Sequence, residues 1–476
     1  MSKPFYITST LPYTNSDPHI GFAAELIKAD VIARLHKLRG EEVFFNTGTD
    51  EHGLKIYQLA ESAGLSPRAF CDPYAANFKE LASKLNVSIT NFIRTTDEHH
   101  VLASQAFWQR CDESGDIYKK NYQVKYCVGC EMEKTESDLE DGKCPYHPAK
   151  ELEIIEEENY FFRFSKYGEK LLAFYEANPN FVIPNHRFHE IKNFVAGGLQ
   201  DFSISRLKSK MPNGVPVPGD EEQVMYVWFD ALVNYVSTLG WPEDEENFKK
   251  FWPGMQVCGK DNLRQQTAMW QAMLMSAKLP NSTQVLIFGF LTANGQKISK
   301  SAGNGVDPFE FLDKYNCDPL RYYLLSDILP FEDGDFSEEK LRAKYNADLA
   351  NGLGNLVARV SNLLEKNEIE TNLVAQVDVL DWQKEFIVKL EAYKFNEALA
   401  LLWDRLRACD EKLSLTTPWK MSDKDEITGV LKPIAQDILD VAYYLQMFIP
   451  ETAEKITKQF SATSIKKGES LFPRLI

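Results

Sequence analysis

Residues 5–53 read FYITSTLPYTNSDPHIGFAAELIKADVIARLHKLRGEEVFFNTGTDEHG. Residues 5–10 are β-branched and aromatic, the pattern of a buried strand. Residues 11–16 form a turn-rich loop. Asp17-Pro18 then opens a helix, with Asp17 as N-cap and Pro18 at the first helical position. Ala23, Ile27, Val31, Leu35 and Leu38 recur at helical spacing, and Gly40 closes the run. Residues 43–47 are a second strand, followed by Gly48-Thr49-Asp50-Glu51-His52-Gly53. Strand, helix and strand in about 45 residues make a parallel βαβ unit. Ligands on such sheets sit beyond the carboxyl ends of the strands. The loops at 11–19 and 48–53 both fall there, so His19, Gly21 and Asp50 are placed to converge.

The helix start at His19-Ile20-Gly21 has free N–H groups and the positive end of the helix dipole, which favour phosphate. Gly21 admits a nucleotide close to the backbone. A capped helix with a satisfied surface histidine is the other reading of this tripeptide. A second stretch shifts the balance. VLIFGFL at 285–291 reads as a buried strand and leads into Lys297-Ile298-Ser299-Lys300-Ser301 and Gly303-Asn304. Two lysines and two serines just past a strand suit a polyphosphate clamp.

These stretches resemble the HIGH and KMSKS signatures of class I aminoacyl-tRNA synthetases. The resemblance narrows to the methionyl-tRNA synthetases. LPYTNSDPHIG, NTGTDEHG, ENYFFRFS (158–165), DFSISR (201–206), YVWFDAL (226–232), GKDN (259–262), KISKSAGN (297–304) and ADLANGLGNLVARV (347–360) follow in family order along most of the chain. The family implies an α/β fold: a Rossmann-like parallel-sheet catalytic domain, an inserted zinc-knuckle connective domain, and an all-α anticodon-binding bundle. It implies ligation of L-methionine to its tRNA through methionyl-adenylate, with release of AMP and pyrophosphate, for protein synthesis.

The resemblance also assigns residues. His19, Lys297 and Lys300 would be catalytic, holding the phosphates and their growing charge, with Mg²⁺ brought by ATP. Pro18, Gly21, Phe22, Gly259, Asp261, Ser299 and Ser301 would complete the ATP site. Leu11, Tyr13, Asp50, Trp228, Ala231, Leu232, Tyr235, Asn262 and Gln266 would bind methionine. Asp50 would take the ammonium, with Arg206 as its ionic neighbour. By spacing alone, Trp228, Ala231, Leu232 and Tyr235 fall at i, i+3, i+4 and i+7, which is also the pattern of core packing. A thioether is apolar and polarizable, and aromatic rings make favourable contacts with sulfur. The chain departs from the family twice: Phe22 stands at the last position of HIGH, and Gln266 stands where methionyl enzymes commonly have histidine.

The chain has 476 residues, a net charge of −16 and a hydrophobic fraction of 44%. That length suggests roughly three domains with sizeable cores. The acidic balance argues mildly against a nucleic-acid partner, although a local basic stripe suffices for tRNA. Met1-Ser2-Lys3-Pro4 runs straight into the first strand, and no apolar run approaches a membrane span. A soluble, cytoplasmic protein is expected.

From about residue 118 to 222 the pattern changes. Residues 122–126 are strand-like. Cys127-Val128-Gly129-Cys130 and Cys144-Pro145-Tyr146-His147 face each other across a turn-rich acidic stretch. Two pairs of soft ligands suit tetrahedral zinc, and four protein ligands leave no open position, so one structural Zn²⁺ per chain is expected. A disulfide is the rival reading; it is disfavoured in a cytoplasmic chain and leaves His147 without a role. Knuckles in this insertion are also what the family resemblance implies. The remaining cysteines, at 71, 111, 258, 317 and 409, read as ordinary buried residues. The insertion is too short for the separate editing domain of the isoleucyl, valyl and leucyl enzymes.

Residues 224–229 and 255–258 resume the buried-strand pattern, and 263–276 is helical. The expected division is therefore 1–117 and 223–305 for the two halves of the catalytic domain, 118–222 for the insertion, 306–346 for a linking region, and 347–476 for a helical bundle. Helical periodicity runs over 347–366, 380–413 and 427–448. Asn351, Asn355 and Arg359 share one helical stripe, which reads as a solvated polar face on spacing alone. In the family this stripe faces the anticodon, and Trp419 stacks on an anticodon base. A monomer is expected, with methionine tRNA, ATP and L-methionine as partners and no membrane. A non-catalytic tRNA-binding relative and a synthetase for another apolar amino acid are the competing readings.

Overall fold

The N-terminal run forms β1 (Pro4–Thr8), whose last residues are fully buried. The computed structural model describes residues 3–130, 132–134, 138–293, 295–297 and 306–475, with the backbone alone for 122–124, 133, 155, 296 and 297. β1 pairs in parallel with β2 (Glu42–Thr49), and β2 with β3 (Asn91–Arg94). On its other side β1 pairs in parallel with β5 (Met255–Gly259), which pairs with β6 (Gln284–Phe288). β6 is flanked by β4 (Val182–Ile183), giving a six-stranded sheet of order β3-β2-β1-β5-β6-β4. The strand order reverses between β1 and β5, and the crevice at such a switch point is where doubly wound sheets bind ligands. β4 comes from inside the segment expected as the insertion.

The chain divides into two compact units. The first comprises Met1–Pro18, His36–Leu81 and Ser88–Phe288; the second comprises His19–Leu35, Ala82–Val87 and Gly289–Ile476. In the first, Phe107 stacks on Trp270 at 5.5 Å and meets Phe229 and Trp241 edge-on. Away from the parallel sheet, Ile117–Cys127 and Glu153–Phe162 form a long antiparallel pair, in register from Ile117↔Phe162 to Tyr126↔Glu153. The five cysteines outside the two pairs are all buried, as expected.

In the second unit, Leu291–Ala293, Gln296–Lys297 and Gly334–Phe336 form a small sheet. Helices follow, from Pro308–Tyr315 and Cys317–Ser326 to Pro450–Phe460. Glu338–Lys344, Tyr345–Gly354 and Asn355–Lys366 follow one another without a break, the middle segment wound as a π-helix. Among the described residues no helix is long and apolar enough to cross a membrane.

Several boundaries differ from the sequence reading. The first helix is Ile20–Leu38, so Pro18 lies before it and Asp17 does not cap it; Asp17 Oδ1 accepts instead from Asn77 Nδ2 at 2.7 Å. The run at 285–291 is two strands, not one. It breaks at Gly289, where an added Cβ would lie 2.0 Å from the Glu332 carbonyl oxygen. The run at 224–229 is also divided: the strand Asp220–Met225 ends before the helix Val227–Leu232, which makes Tyr226 a hinge between them. The periodicity at 380–413 resolves into Asp381–Glu391 and Phe395–Thr416, separated at Tyr393, whose φ is 59°.

One ion pair organises the second unit. Arg321 and Asp30 are both fully buried, and Arg321 Nη2 lies 2.8 Å from Asp30 Oδ2. Three further guanidinium N–H groups donate to the carbonyls of Phe448, Leu85 and Met447 at 2.7–3.0 Å. A buried charge is tolerated only when it is paired and fully hydrogen-bonded. Arg321→Met should therefore destabilise this unit by about 3–5 kcal/mol, because it leaves three buried carbonyls without their donor and breaks one of the ion pairs of Asp30, which keeps Arg34 Nε at 2.7 Å. Asp30→Asn should cost less, since Arg321 keeps its carbonyl acceptors. Urea unfolding of both variants checks the order.

Candidate active site and metal centre

The loop after β1 is tied to the end of β2 by backbone. Asp50 N–H donates to the Pro12 carbonyl at 2.9 Å, and Thr14 N–H donates to the Asp50 carbonyl at 3.2 Å. Tyr13 and Asp50 are bridged side by side, with Asp50 nearly buried. Glu51, fully buried, accepts from Thr49 Oγ1 at 2.8 Å and pairs with Arg94 at 2.5 Å, which fixes the strand end that carries Asp50. His52 Nδ1 lies 3.0 Å from Asp230 Oδ2 and so joins this loop to the helix Val227–Leu232. Burial pushes the Asp230 carboxyl up, but the His52 and His100 imidazoles outweigh it and hold it below the usual range.

That helix brings Trp228, Ala231 and Leu232 together, and Tyr235 follows one turn on. Ala231, Leu232 and Tyr235 are buried, and Leu232 and Tyr235 belong to the main core. Trp228 is half-buried, and its Nε1, itself inaccessible, has no hydrogen-bond partner among the described residues. Trp228 and Tyr13 pack against Tyr126, Tyr226 and Val227. The Arg206 guanidinium lies 4.2 Å from the Tyr226 ring and 5.5 Å from that of Tyr126. Arg206 Nη1 also donates to Ser203 Oγ and the Ser205 carbonyl, at 2.8 and 2.7 Å. Across the switch point, β5 ends at Gly259 and turns through Lys260–Asn262, where Asp261 is exposed and Asn262 half-buried. The π-helical turn Gln265–Met269 follows, a feature frequent at functional sites. It places Gln266 so that Nε2 donates to the Tyr235 hydroxyl at 2.5 Å. Leu11 is half-buried on the loop after β1.

The helix start differs from expectation. Gly21 N–H and Phe22 N–H donate to His19 Nδ1 at 3.1 and 3.3 Å, and Ile20 N–H donates to the Val306 carbonyl at 3.1 Å. The free N–H groups expected for an anion are thus engaged, because the His19 ring folds back as the helix cap. Gly21 permits this: a Cβ there would sit 3.0 Å from the ring. The consequence is chemical. With Nδ1 accepting, the neutral ring carries its proton on Nε2, which makes exposed His19 a hydrogen-bond donor. Phe22 is buried, at 7% exposure. The turn also meets both flanks of the lysine-rich stretch: a Cβ on Gly21 would lie 4.0 Å from Leu291 Cβ, and Val306 receives the Ile20 N–H. Lys297 is described by its backbone, which pairs with Thr292. Ser299, Lys300 and Ser301 lie outside the described residues.

Cys127, Cys130, Cys144 and His147 gather as the spacing suggests. Their ligand atoms all lie within 4.8 Å of one another. Cys130 Sγ is 3.2 Å from His147 Nδ1 and 3.4 Å from Cys144 Sγ, far beyond a disulfide bond, and all the cysteines are free. Gly129 leaves room for the imidazole, since a Cβ there would fall 2.5 Å from His147 Cγ. Three thiols and an imidazole within this radius could hold a metal ion, and the donor set is that of closed tetrahedral zinc sites.

In the helical region Asn351 and Asn355 are exposed on successive turns. Arg359 Nη1 pairs with Asp410 Oδ1 at 2.5 Å, and its guanidinium lies 5.6 Å from the Trp419 ring. Trp419 is 45% exposed, so the ring is a surface feature rather than core. What the sequence reading missed was the polar scaffolding: Glu51 with Arg94, His52 with Asp230 and His100, and the glutamines around Gln266. Gln256 was the available signal, as an amide in the otherwise apolar run Met255–Gly259.

The chain matches the family described as class I tRNA synthetases (M) over residues 5–154 and 148–361. It is 42% identical to the methionine–tRNA ligase of Thermotoga maritima, over 96% of this chain and 75% of that protein. It is 41% identical to that of Thermosynechococcus vestitus, over 100% of this chain and 93% of the relative. Among solved structures it is similar to Mycobacterium tuberculosis methionyl-tRNA synthetase in complex with methionyl-adenylate. That likeness has a TM-score of 0.91 and 35% identity, over 99% of this chain and 100% of the other.

The thiol–imidazole cluster yields a measurable expectation. Freshly purified protein should carry one tightly held metal ion per chain, and Cys130→Ser should lower that content and increase proteolysis within 118–150, because binding and folding of such a site are coupled. Metal analysis together with limited proteolysis checks both.

Proposed function

Because the chain belongs to the methionyl branch of the class I tRNA synthetases, we propose that its ligation of L-methionine to tRNA runs on the residues located above. In the first step the methionine carboxylate attacks the α-phosphate of ATP, giving methionyl-adenylate and pyrophosphate. In the second, the 2′-hydroxyl of the terminal adenosine of the tRNA takes the methionyl group and AMP leaves. Such transfers need positioning and charge stabilisation more than acid–base chemistry. Asp50 holds the ammonium, with Arg206 as its ionic neighbour. Leu11, Tyr13, Trp228, Ala231, Leu232, Tyr235, Asn262 and Gln266 surround the side chain. His19 Nε2–H, Lys297 and Lys300 hold the phosphates; Pro18, Gly21, Phe22, Gly259, Asp261, Ser299 and Ser301 complete the nucleotide site, and Mg²⁺ arrives with ATP. The observation that carries this reading is the His19–Gly21 turn in contact with both flanks of the 297–304 stretch.

Further assignments follow the same reading. Residues 1–117 and 223–305 make the catalytic domain, 118–222 the connective insertion, 306–346 a linking region, and 347–476 the anticodon-binding bundle. Cys127, Cys130, Cys144 and His147 hold a structural Zn²⁺. Asn351, Asn355, Arg359 and Trp419 meet the anticodon. The protein works as a cytoplasmic monomer. Methionine-dependent ATP–pyrophosphate exchange tests the activity directly, and its absence overturns the reading.

The variants separate the parts. Lys300→Ala should cut exchange by at least about 100-fold, the effect of removing a preorganised charge donor. Phe22→His should change it less than tenfold, because the local shape is built for a buried ring without donors; a hundredfold gain would show that the site lacks an essential donor. Trp419→Ala should spare exchange and weaken tRNA charging by about 1–3 kcal/mol, the worth of one stacked base. Equal losses in both assays would instead make Trp419 a structural residue.

A further inference from the structure

Beneath the amino-acid pocket lies a chain of amides that is fully buried and anchored at its far end by backbone. Gln256, Gln266, Gln271 and Ser282 are each at most 3% exposed, and Tyr235 is 2% exposed. Ser282 N–H donates to Gln271 Oε1 at 3.1 Å. A backbone N–H can only donate, so this contact fixes which end of the Gln271 amide is oxygen. The Gln271 Nε2 then donates to the Gln266 carbonyl at 2.9 Å and to Ser282 Oγ at 3.1 Å. The carbonyl can only accept, which fixes the same amide a second time. Having accepted from Gln271, Ser282 Oγ donates to Gln256 Oε1 at 2.6 Å. With its oxygen on Ser282, Gln256 turns its Nε2 to Gln266 Oε1, at 2.8 Å. Gln266 in turn has only Nε2 left for the Tyr235 hydroxyl, at 2.5 Å.

Amide orientation is ordinarily ambiguous, but here two backbone groups set the Gln271 amide, and the Ser282 hydroxyl, donating onward to Gln256, carries that polarity along the series. The end of the series is the phenol of Tyr235, which receives a hydrogen bond from Gln266 and so must direct its own proton elsewhere. We propose that Ser282, Gln256 and Gln271 are positioning residues for amino-acid selectivity: acting through Gln266, they make Tyr235 a hydrogen-bond donor to the substrate side chain. This rests on the methionine reading above. The acceptor is then the thioether sulfur, a weak acceptor that a methylene in its place does not replace. A glutamine suits this task because it holds one protonation state at every working pH, so the donor direction does not titrate.

The polarity depends on the hydroxyl at 282. In Ser282→Ala, Gln256 Oε1 loses its donor, and the Gln256 and Gln266 amides can reverse together. Gln266 then presents oxygen to Tyr235, which donates to it rather than to the ligand. Gln256→Met breaks the same series one link later without a large change in volume. The readout is the ratio of kcat/KM for methionine to that for norleucine, in which a methylene replaces the sulfur, measured by ATP–pyrophosphate exchange. Ser282→Ala and Gln256→Met should each lower this ratio about fivefold, the scale of one neutral hydrogen bond. Tyr235→Phe should lower it by a similar factor, with no further fall when combined with Ser282→Ala. Ser282→Thr keeps the hydroxyl and should restore the ratio. Equal losses for both amino acids, or an unchanged ratio in folded variants, overturn the proposal while leaving the ligase reading intact. A wild-type protein without methionine-dependent exchange removes both.

Discussion

β1 pairs in parallel on both sides, with β2 along its length and with β5 at its end. Its neighbours are separated from it by very different lengths of chain, yet their carboxyl ends are brought to one edge. A strand that reverses the order of a doubly wound sheet leaves its outgoing loop with no helix crossing over it. The Leu11–Thr14 loop and the turn at Lys260–Asn262 occupy that edge. The backbone bonds between Pro12, Thr14 and Asp50 then hold the first loop against the end of β2. Had β1 been an edge strand, Asp50 and Tyr13 could still have met, but Gln266 would have had no common crevice with them.

The site is surrounded by buried polar groups that are paired rather than excluded. Asp230 lies between two imidazoles, Glu51 is met by Arg94 and threonine hydroxyls, and Gln266 is held by a glutamine on β5. Each such group costs more to leave unsatisfied than its bonds return in net stability, so the networks restrict the alternatives open to the chain. Arg321 does the same in the other unit by joining Asp30 to three carbonyls. These contacts contribute more to uniqueness of arrangement than to the free energy of folding.

The metal lobe belongs to the same logic. Tyr126, next to Cys127, packs with Tyr226, Val227, Tyr13 and Trp228. Met132 Sδ accepts from Gln265 Nε2 at 3.7 Å, and Arg264 lies 3.8 Å from Asp138. The lobe is thereby joined to both the aromatic helix Val227–Leu232 and the π-helical turn Gln265–Met269. Four ligand side chains that could hold one metal ion give such a lobe a means of keeping its shape with little core of its own.

The sequence by itself determined the parallel βαβ start, the four metal-ligand candidates, the buried lone cysteines and the family. These depend on local pattern and fixed spacing, which survive in one dimension. Only the tertiary structure decided the rest. Whether Asp17 or His19 caps the first helix depends on Asn77, which takes the Asp17 carboxylate, and on the space above Gly21. Whether 285–291 is one strand or two depends on the Glu332 backbone pressing on Gly289. The direction of the glutamine series depends on Ser282 and Gln271 meeting across the fold of the chain. In each case a polar group or a missing Cβ has several local solutions of similar energy, and a distant residue selects among them.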